Sequence, residues 1–301
     1  MKIIMIDAFK PEYLEYAPYL SSLTKKFQWG DLKMPLGFEG GMETFFRGSS
    51  SKLALFYKSE NSKLKYIKYF SFLEKFGKIG RLIIDCLINF PRFIKRYELF
   101  RTGNIPLKQL CKVDFSINNP LYRIKNVKYY YVGDLDRIGH EYGTKSKEII
   151  DAIRKVDKRI SAMDFDIILS DHGMTDITKM ISVPETENCM IDSTFARYWG
   201  EKPDFKCPDG KWIEWKEKRY GDYIFLANPG VLIFPNYWQK EKPVKAMHGY
   251  NPECKDMNAF YILNRKGKKK NLKAEELNKI FEEFLNEQIG NLPQIKISEK
   301  F

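Results

Sequence analysis

The three histidines of this 301-residue sequence are the residues best suited to do chemistry, because each lies in a short turn-forming segment. His140 follows Asp136 by four residues in "GDLDRIGHEYG", and His172 directly follows Asp171 in "LSDHGM". His248 lies in "MHGY", where a glycine comes next. One such histidine is more often an ordinary surface or core residue, but three together indicate a site that binds metal.

Acidic residues follow three predicted strands, each at the point where the strand ends. The run "KIIMI" precedes Asp7, "KYYYVG" precedes Asp134 and Asp136, and "FDIILS" precedes Asp171. Short apolar runs of this kind are typical of buried strands in a parallel sheet. Ligands bind at the carboxyl edge of such sheets, so we expect these acids to face one site.

The segment between Asp136 and Asp171 predicts a helix that crosses from one strand to the next. Its apolar residues recur at helical spacing, at Ile149, Ile153, Val156, Ile160 and Met163. Strand, helix and strand in this order form the unit of a parallel sheet. A further strand is predicted at "NAFYIL", after His248. The sequence therefore predicts an α/β fold.

Carboxylates and imidazoles converge on one edge of this predicted sheet. The six candidate ligands are Asp7, Asp136, His140, Asp171, His172 and His248. Carboxylate oxygens together with neutral imidazoles suit zinc or manganese, and two such ions need about this number of ligands. Two metal ions ~4 Å apart can hold the attacking and leaving oxygens of a phosphoryl transfer. The residue types therefore predict two divalent ions, Zn²⁺ or alternatively Mn²⁺.

Four segments in a fixed order resemble the alkaline phosphatase superfamily, on the branch of type I phosphodiesterases and nucleotide pyrophosphatases. They are "IIMIDAF", "GDLDRIGHEYG", "LSDHGM" and "MHGY", and they span nearly the whole chain. The resemblance implies a three-layer αβα fold with a mostly parallel central sheet, formed by residues 1–301 as a single domain. It also assigns the ligands of two metals, which are Asp136, His140 and His248 for one and Asp7, Asp171 and His172 for the other.

The function that the resemblance implies is a metal-dependent hydrolase of phosphate esters, a phosphodiesterase or nucleotide pyrophosphatase-like enzyme. The formal net charge of +12 suits an anionic substrate, by attraction and steering. The alternative is a catalytically altered relative, either a phosphotransferase or a non-catalytic protein that binds metal and phosphate. Such a relative would act on a phosphorylated lipid or glycan.

The candidate nucleophile departs from the family's pattern, which places a serine or threonine roughly ten residues before a glycine. Counting back from Gly48 leads to Phe38, and the next residue is Glu39. Thr44 is the only hydroxyl residue between Met34 and Gly48. Three hypotheses stay open: Thr44 attacks from a shortened loop, Glu39 is an extra ligand and a metal-bound hydroxide attacks, or turnover is lost.

Two insertions lie outside the predicted sheet, at residues 51–125 and 176–245. We expect both to form a cap of helices and short strands beside the metal centre. The first is basic and aromatic: from Lys52 to Arg101 it holds twelve Lys or Arg, four Asp or Glu, and eleven aromatic residues. This composition fits an anionic membrane surface, a phosphate-rich substrate, or a cap whose basic face is solvated. No specific nucleic-acid binding is expected, because no nucleic-acid motif is present.

Composition indicates a globular protein of a reducing compartment. Hydrophobic residues make up 44% and charged residues 30% of the chain, an ordinary globular balance. The five cysteines are scattered without paired spacing, as is typical of free thiols. The apolar run at the N-terminus is too short for a signal peptide and fits a core strand. We therefore expect a cytoplasmic location.

Overall fold

The computed structural model describes residues 1–38, 40–48, 52–95, 99–116 and 127–289. These residues form two compact units. The first unit draws on residues 1–50, 121–177 and 244–301, and the second on residues 51–120 and 178–243. Within the described residues, no helix combines the length and the apolar character needed to cross a bilayer.

Strands occur in both units. Along the described residues they are β1 (Lys2–Ile6), β2 (Gln28–Lys33), β3 (Phe56–Lys58), β4 (Val113–Phe115), β5 (Lys128–Val132), β6 (Ile167–Leu169), β7 (Thr175–Asp176), β8 (Lys179–Ile181), β9 (Cys189–Ile191), β10 (Phe195–Tyr198), β11 (Gly210–Ile213), β12 (Tyr223–Ala227), β13 (Val231–Ile233), β14 (Ala246–Met247), β15 (Ala259–Leu263) and β16 (Leu272–Lys273).

The helices of the described residues are α1 (Pro18–Thr24), α2 (Gly40–Arg47), α3 (Gly77–Ile94), α4 (Leu107–Leu110), α5 (Asp134–Tyr142), α6 (Lys147–Ile160) and α7 (Ala274–Ile289). The same described residues also form the 3-10 helices Pro11–Tyr16, Lys65–Phe76, Lys218–Tyr220 and Lys255–Met257. The predicted crossover helix is α6, which begins where the Ser146 side chain accepts a hydrogen bond from the Ile149 amide.

The first unit is built on a six-stranded sheet with the order β16-β2-β15-β6-β1-β5. Strand β1 lies parallel to both β5 and β6, and β16 lies parallel to β2. Only β15 runs against its neighbours, β2 and β6. The predicted mostly parallel sheet is therefore confirmed, and the strand predicted at "NAFYIL" is the antiparallel member.

Apolar residues alternate along β1, so the sheet separates two cores. Ile3 and Met5 face one core, which includes Phe281 of α7. Ile4 and Ile6 face the other, which includes Ile153 of α6. Because neighbouring side chains of a strand point to opposite faces, helices pack on both sides of the sheet. This arrangement confirms the predicted three-layer αβα fold.

The second unit combines most described residues of both predicted insertions, whereas residues 176, 177, 244 and 245 belong to the first unit. Its largest sheet is antiparallel with the order β11-β12-β10-β9, while β3 pairs with β4 and β8 with β13. Arg197 ties the two chain segments together: its guanidinium lies 3.2 Å from the Asp192 carboxylate and donates to the Phe56 carbonyl at 2.6 Å. Residues 117–125 of the first insertion lie outside the described residues. The cap role of both insertions stays a prediction.

Candidate metal centre

Three parallel strands deliver acidic residues to one edge of the central sheet. Asp7 follows β1, Asp136 lies in the first turn of α5 directly after β5, and Asp171 follows β6. The strands are neighbours in the order β6-β1-β5, and the Asp7 amide donates to the Val132 carbonyl at 2.9 Å. The carboxyl ends of these strands therefore place the three acids side by side, as the sequence predicts.

His248 reaches the same edge by a different route. It directly follows β14, which pairs antiparallel with β7. Strand β7 begins three residues after His172. This short ladder pairs Met247 with Thr175 and Ala246 with Asp176. It therefore places His248 near the carboxyl ends of β1, β5 and β6.

Hydrogen bonds from the backbone fix the loops that follow β1 and β6. The Asp171 Oδ1 atom accepts from the amides of Ala8 at 3.2 Å and His172 at 3.0 Å. The Ser170 hydroxyl donates to the Phe9 carbonyl at 2.6 Å and accepts from the Phe260 amide at 2.7 Å. Ala8 has a φ of 57°, which a non-glycine residue adopts only where its surroundings hold it. The two loops are thus locked to each other at the site.

Asp7, Asp171 and His172 form one compact group. The His172 Nε2 atom lies 3.4 Å from Asp7 Oδ1 and 3.5 Å from Asp171 Oδ2. One ligand atom from each of the three residues lies within 4.8 Å of the others. The resemblance assigns these same three residues to one metal.

Asp136, His172 and His248 form a second compact group by the same distance criterion. The His248 Nε2 atom lies 3.6 Å from Asp136 Oδ1, and the His140 Nε2 atom lies 3.2 Å from that oxygen. The resemblance assigns His140 rather than His172 to this metal. The structure thus brings all six predicted ligands together, with His172 common to both groups and His140 held against Asp136.

Backbone carbonyls fix which nitrogen of two imidazoles carries hydrogen. His140 Nδ1 lies 2.8 Å from the Ala246 carbonyl oxygen, and His172 Nδ1 lies 3.0 Å from that of Gly173. A carbonyl only accepts, so both Nδ1 atoms donate. In the neutral rings this leaves the Nε2 lone pairs facing carboxylate oxygens, which is repulsive unless a proton or a cation lies between them. Metal-bound histidines are oriented in the same way.

Burial and charge shift the pKa values of these groups strongly. Burial and the nearby Asp171 raise the pKa of Asp7 to about 8. Burial lowers the pKa of His172, but the carboxylates of Asp171 and Asp7 outweigh it and raise that pKa to about 9. Burial opposes the ionisation of Asp136, yet the adjacent imidazoles of His140 and His248 hold its pKa below its usual value.

The pKa of His248 is shifted in the opposite direction to that of His172. Its ring stacks on that of His172, with centroids 3.7 Å apart and planes 8° from parallel. Burial and the neighbouring charge of His172 hold the pKa of His248 well below its usual value. A neutral imidazole is the form that coordinates a metal, so His248 is prepared to bind near neutral pH.

Three buried polar atoms of this centre lack a hydrogen-bond partner among the described residues. They are Asp7 Oδ1, Asp136 Oδ1 and His248 Nδ1. Leaving such atoms unpaired is unfavourable by about 1–3 kcal/mol each. Carboxylate oxygens and imidazole nitrogens are also the donors that divalent transition metals prefer. The residues present therefore fit bound divalent cations.

Tyr131 is a neighbour of the candidate ligands that the sequence analysis did not identify. Its hydroxyl donates a short hydrogen bond to Asp7 Oδ2, which leaves Asp7 Oδ1 facing His172. Tyr131 lies beside Met5 in the β1–β5 register, next to the end of the strand. In the sequence, the tyrosine run of β5 predicts a strand and does not indicate which tyrosine contacts a ligand. The pairing of β5 with β1, whose end carries Asp7, makes Tyr131 recognisable.

The glycines beside two histidines are required by close approach. A Cβ on Gly173 would lie 2.0 Å from the Asp256 carbonyl oxygen. Gly249 has a φ of +85°, and a Cβ there would lie 2.5 Å from the Phe38 ring. That ring packs edge-on against His248, with centroids 5.3 Å apart. Phe38 is therefore a neighbour of the candidate ligands.

Of the two candidate catalytic residues, Thr44 and Glu39, the structure describes the first. Thr44 lies in α2, which packs against α7, and its side chain is fully buried. A side chain without exposed surface does not touch substrate in this conformation. Glu39 lies outside the described residues. The roles of both residues stay predictions.

Comparisons with known proteins agree with the sequence resemblance. The family model described as type I phosphodiesterase / nucleotide pyrophosphatase matches residues 112–201. A comparison with curated protein sequences finds no relative. The solved murine ectonucleotide pyrophosphatase / phosphodiesterase 5 is similar in fold, with a TM-score of 0.66, 14% identity, and coverage of 98% of this chain and 96% of that one.

Two further structures show the same fold similarity. The human ectonucleotide pyrophosphatase / phosphodiesterase 5 matches with a TM-score of 0.65 and 15% identity, covering 98% of this chain and 96% of that one. An inactive variant of the murine protein in complex with AMP matches with a TM-score of 0.64, 14% identity and the same coverage. The predicted resemblance and the alkaline phosphatase-like fold are confirmed.

Replacing Tyr131 by phenylalanine is expected to weaken metal binding by about 10- to 100-fold, because an outer hydrogen bond to a ligand orients it. Calorimetric titration of the metal-free protein with Zn²⁺ measures the effect. Tyr130→Phe is the matched control, since neighbouring residues of a strand point to opposite faces. Equal affinities of Tyr131→Phe and the wild type would contradict the orienting role.

Metal binding at neutral pH is expected to release protons. Because the pKa values of both Asp7 and His172 are raised and each depends on the charge of the other, the pair retains a proton at pH 7 without metal. Because ligands bind metal in their deprotonated forms, apparent affinity should rise as pH increases toward about 9. Calorimetry in two buffers of different ionisation enthalpy measures the released protons. Equal heats in both buffers would contradict this assignment.

Proposed function

We propose that this protein is a metal-dependent hydrolase of phosphate esters. Its residues 112–201 match the type I phosphodiesterase / nucleotide pyrophosphatase family model, and its fold is similar to that of solved ectonucleotide pyrophosphatase / phosphodiesterases. Diesters are the expected substrates. One observation carries the proposal: two adjoining groups of ligand-type residues share His172 at the carboxyl edge of the sheet.

The side chains of the centre have defined roles in this proposal. When bound, two divalent ions supply the positive charge that a phosphoryl transfer needs at its attacking and leaving oxygens. Hydrogen bonds to the Ala246 and Gly173 carbonyls orient the rings of His140 and His172. A hydrogen bond from Tyr131 orients the carboxylate of Asp7. The net charge of +12 attracts an anionic substrate.

Zinc is the proposed metal, with manganese as the alternative. The donor set of three imidazoles and three carboxylates supports both, because nitrogen ligands suit zinc and carboxylates suit manganese. A cytoplasmic location is likewise proposed, and the five cysteines, all free thiols, support it. Contact with an anionic membrane through residues 52–101 is proposed as well, supported by the basic charge of that segment.

Phe38 favours a second candidate function. It occupies the position ten residues before Gly48, and its apolar ring packs against His248. A phenyl ring offers no nucleophilic oxygen. In the alternative, the chain is a phosphotransferase or a non-catalytic relative whose metal centre holds a phosphorylated lipid or glycan.

Turnover of a chromogenic phosphodiester separates these functions. The protein is stripped of metal with a chelator, reloaded with Zn²⁺ or Mn²⁺, and assayed against a diester and a monoester. Asp136→Asn is expected to lower turnover by at least about 100-fold, because it removes a carboxylate ligand of a metal whose charge stabilises the transition state. Asp134→Asn, an exposed acid of the same helix, is the matched control and should keep full turnover.

The outcomes distinguish the two candidates. Metal-dependent turnover that Asp136→Asn abolishes supports the hydrolase. Tightly bound metal without turnover of either ester supports the alternative and overturns the hydrolase. Elemental analysis that finds no zinc or manganese after reconstitution overturns both.

A variant of Thr44 tests the candidate nucleophile. Because Thr44 is fully buried, we expect Thr44→Val to keep most of the turnover and all of the metal. Valine preserves the shape of threonine and replaces its hydroxyl by a methyl group. Loss of turnover with both metals bound, together with a phosphoenzyme that is trapped only in the wild type, would instead identify Thr44 as the nucleophile.

A further inference from the structure

Helix α3 of the second unit carries an apolar stripe that faces outward. The stripe, called here the outer stripe, consists of Ile79, Leu82, Ile83, Cys86, Phe90, Phe93 and Ile94. These positions follow the spacing of a single helix face. Ile79 is 71% exposed, Phe93 69% and Phe90 66%. An amphipathic helix normally buries such a face.

The opposite face of α3 is already packed, so rotation of the helix cannot hide the outer stripe. Gly80, Ile84 and Ile88 are buried on that inner face. A Cβ on Gly80 would lie 1.8 Å from the Leu73 carbonyl oxygen, which shows how closely α3 approaches the 3-10 helix Lys65–Phe76. Helix α3 is therefore apolar on two faces, of which the described residues of the unit cover one.

The 3-10 helix Lys65–Phe76 extends the exposed apolar surface. Its Tyr69 is 71% exposed, Phe76 61% and Phe72 54%. A soluble monomer rarely leaves so many large apolar residues exposed together, and such surfaces mark interaction sites. Tyrosine and phenylalanine are also the residues that sit well at the boundary between lipid headgroups and acyl chains.

Positive charge accompanies these aromatic residues. Lys65, Lys68, Lys75, Lys78 and Lys95 are all exposed on or beside the same two helices. Twelve basic and four acidic residues between Lys52 and Arg101 give this segment a net charge of +8. The Lys68 ammonium lies 5.0 Å from the Tyr69 ring centre, so charge and aromatic surface are interleaved.

We propose that the outer stripe and the aromatic residues of the 3-10 helix dock on an anionic lipid bilayer, with α3 lying in the plane of the interface. Exposed lysines beside a large apolar face bind anionic headgroups while the apolar side chains enter the acyl boundary. A second copy of this chain is the less suited occupant, because pairing two such segments would bring two charges of +8 together. The proposal does not depend on the metal centre.

Co-sedimentation with vesicles tests the proposal. Wild-type protein is mixed with vesicles of phosphatidylcholine and phosphatidylglycerol, and with vesicles of phosphatidylcholine alone, at low and high salt. Binding is expected to the anionic vesicles and to weaken with salt, since surface charges are screened within ~10 Å at 0.1 M. The double variant Phe90→Ser/Phe93→Ser is expected to bind at least about tenfold more weakly.

A matched control isolates the outer stripe. Met180→Ser/Tyr223→Ser removes two exposed apolar side chains of the same unit, 52% and 37% exposed, and should bind like the wild type. Circular dichroism confirms that both variants are folded. Absence of wild-type binding at low salt overturns the proposal, as does equal binding by Phe90→Ser/Phe93→Ser. A wild-type dimer that Phe90→Ser/Phe93→Ser converts to monomer, without vesicle binding, also overturns it and assigns the stripe to a second copy.

Discussion

Imidazole nitrogens held against carboxylate oxygens are the interaction on which the rest of the centre depends. The Ala246 and Gly173 carbonyls accept hydrogen bonds from the Nδ1 atoms of His140 and His172. The Nε2 atoms of these two rings therefore face Asp136 and Asp7. Two electron-rich atoms remain that close only when positive charge lies between them. The strand ends, the locked loops and the short β14–β7 ladder together hold this arrangement in place.

Backbone contacts at the sheet edge provide the rigidity that this arrangement needs. Gly173 lets its loop approach the Asp256 carbonyl more closely than any side chain would allow. Ala8 keeps an unfavourable φ because its amide donates to Asp171. The φ of Ala8 is unfavourable for folding by about 1–3 kcal/mol, so it persists because the surrounding packing determines it. The geometry of the centre is thus set by main-chain packing as much as by the ligands.

The parallel sheet and the cluster of ligands could be predicted from sequence because each rests on a local pattern. Apolar runs predict strands, and an acid after each run lies at the same edge. The β14–β7 ladder could not be predicted, because two-residue strands have no periodicity. Tyr131 and the sharing of His172 depend on distances between residues far apart in sequence. The exposure of the outer stripe of α3 could not be predicted either, because an apolar stripe at helical spacing usually indicates a buried face.

The position of His172 between the two ligand groups has a consequence for the order in which ions enter. Its Nδ1 donates to the Gly173 carbonyl, so one nitrogen, Nε2, remains for coordination. A nitrogen with a single lone pair serves one ion at a time. An ion held with Asp7 and Asp171 would take this nitrogen, and a second ion would be held by Asp136, His140 and His248, as the resemblance assigns. Two adjacent positive charges repel each other, so the second ion is expected to bind more weakly than the first.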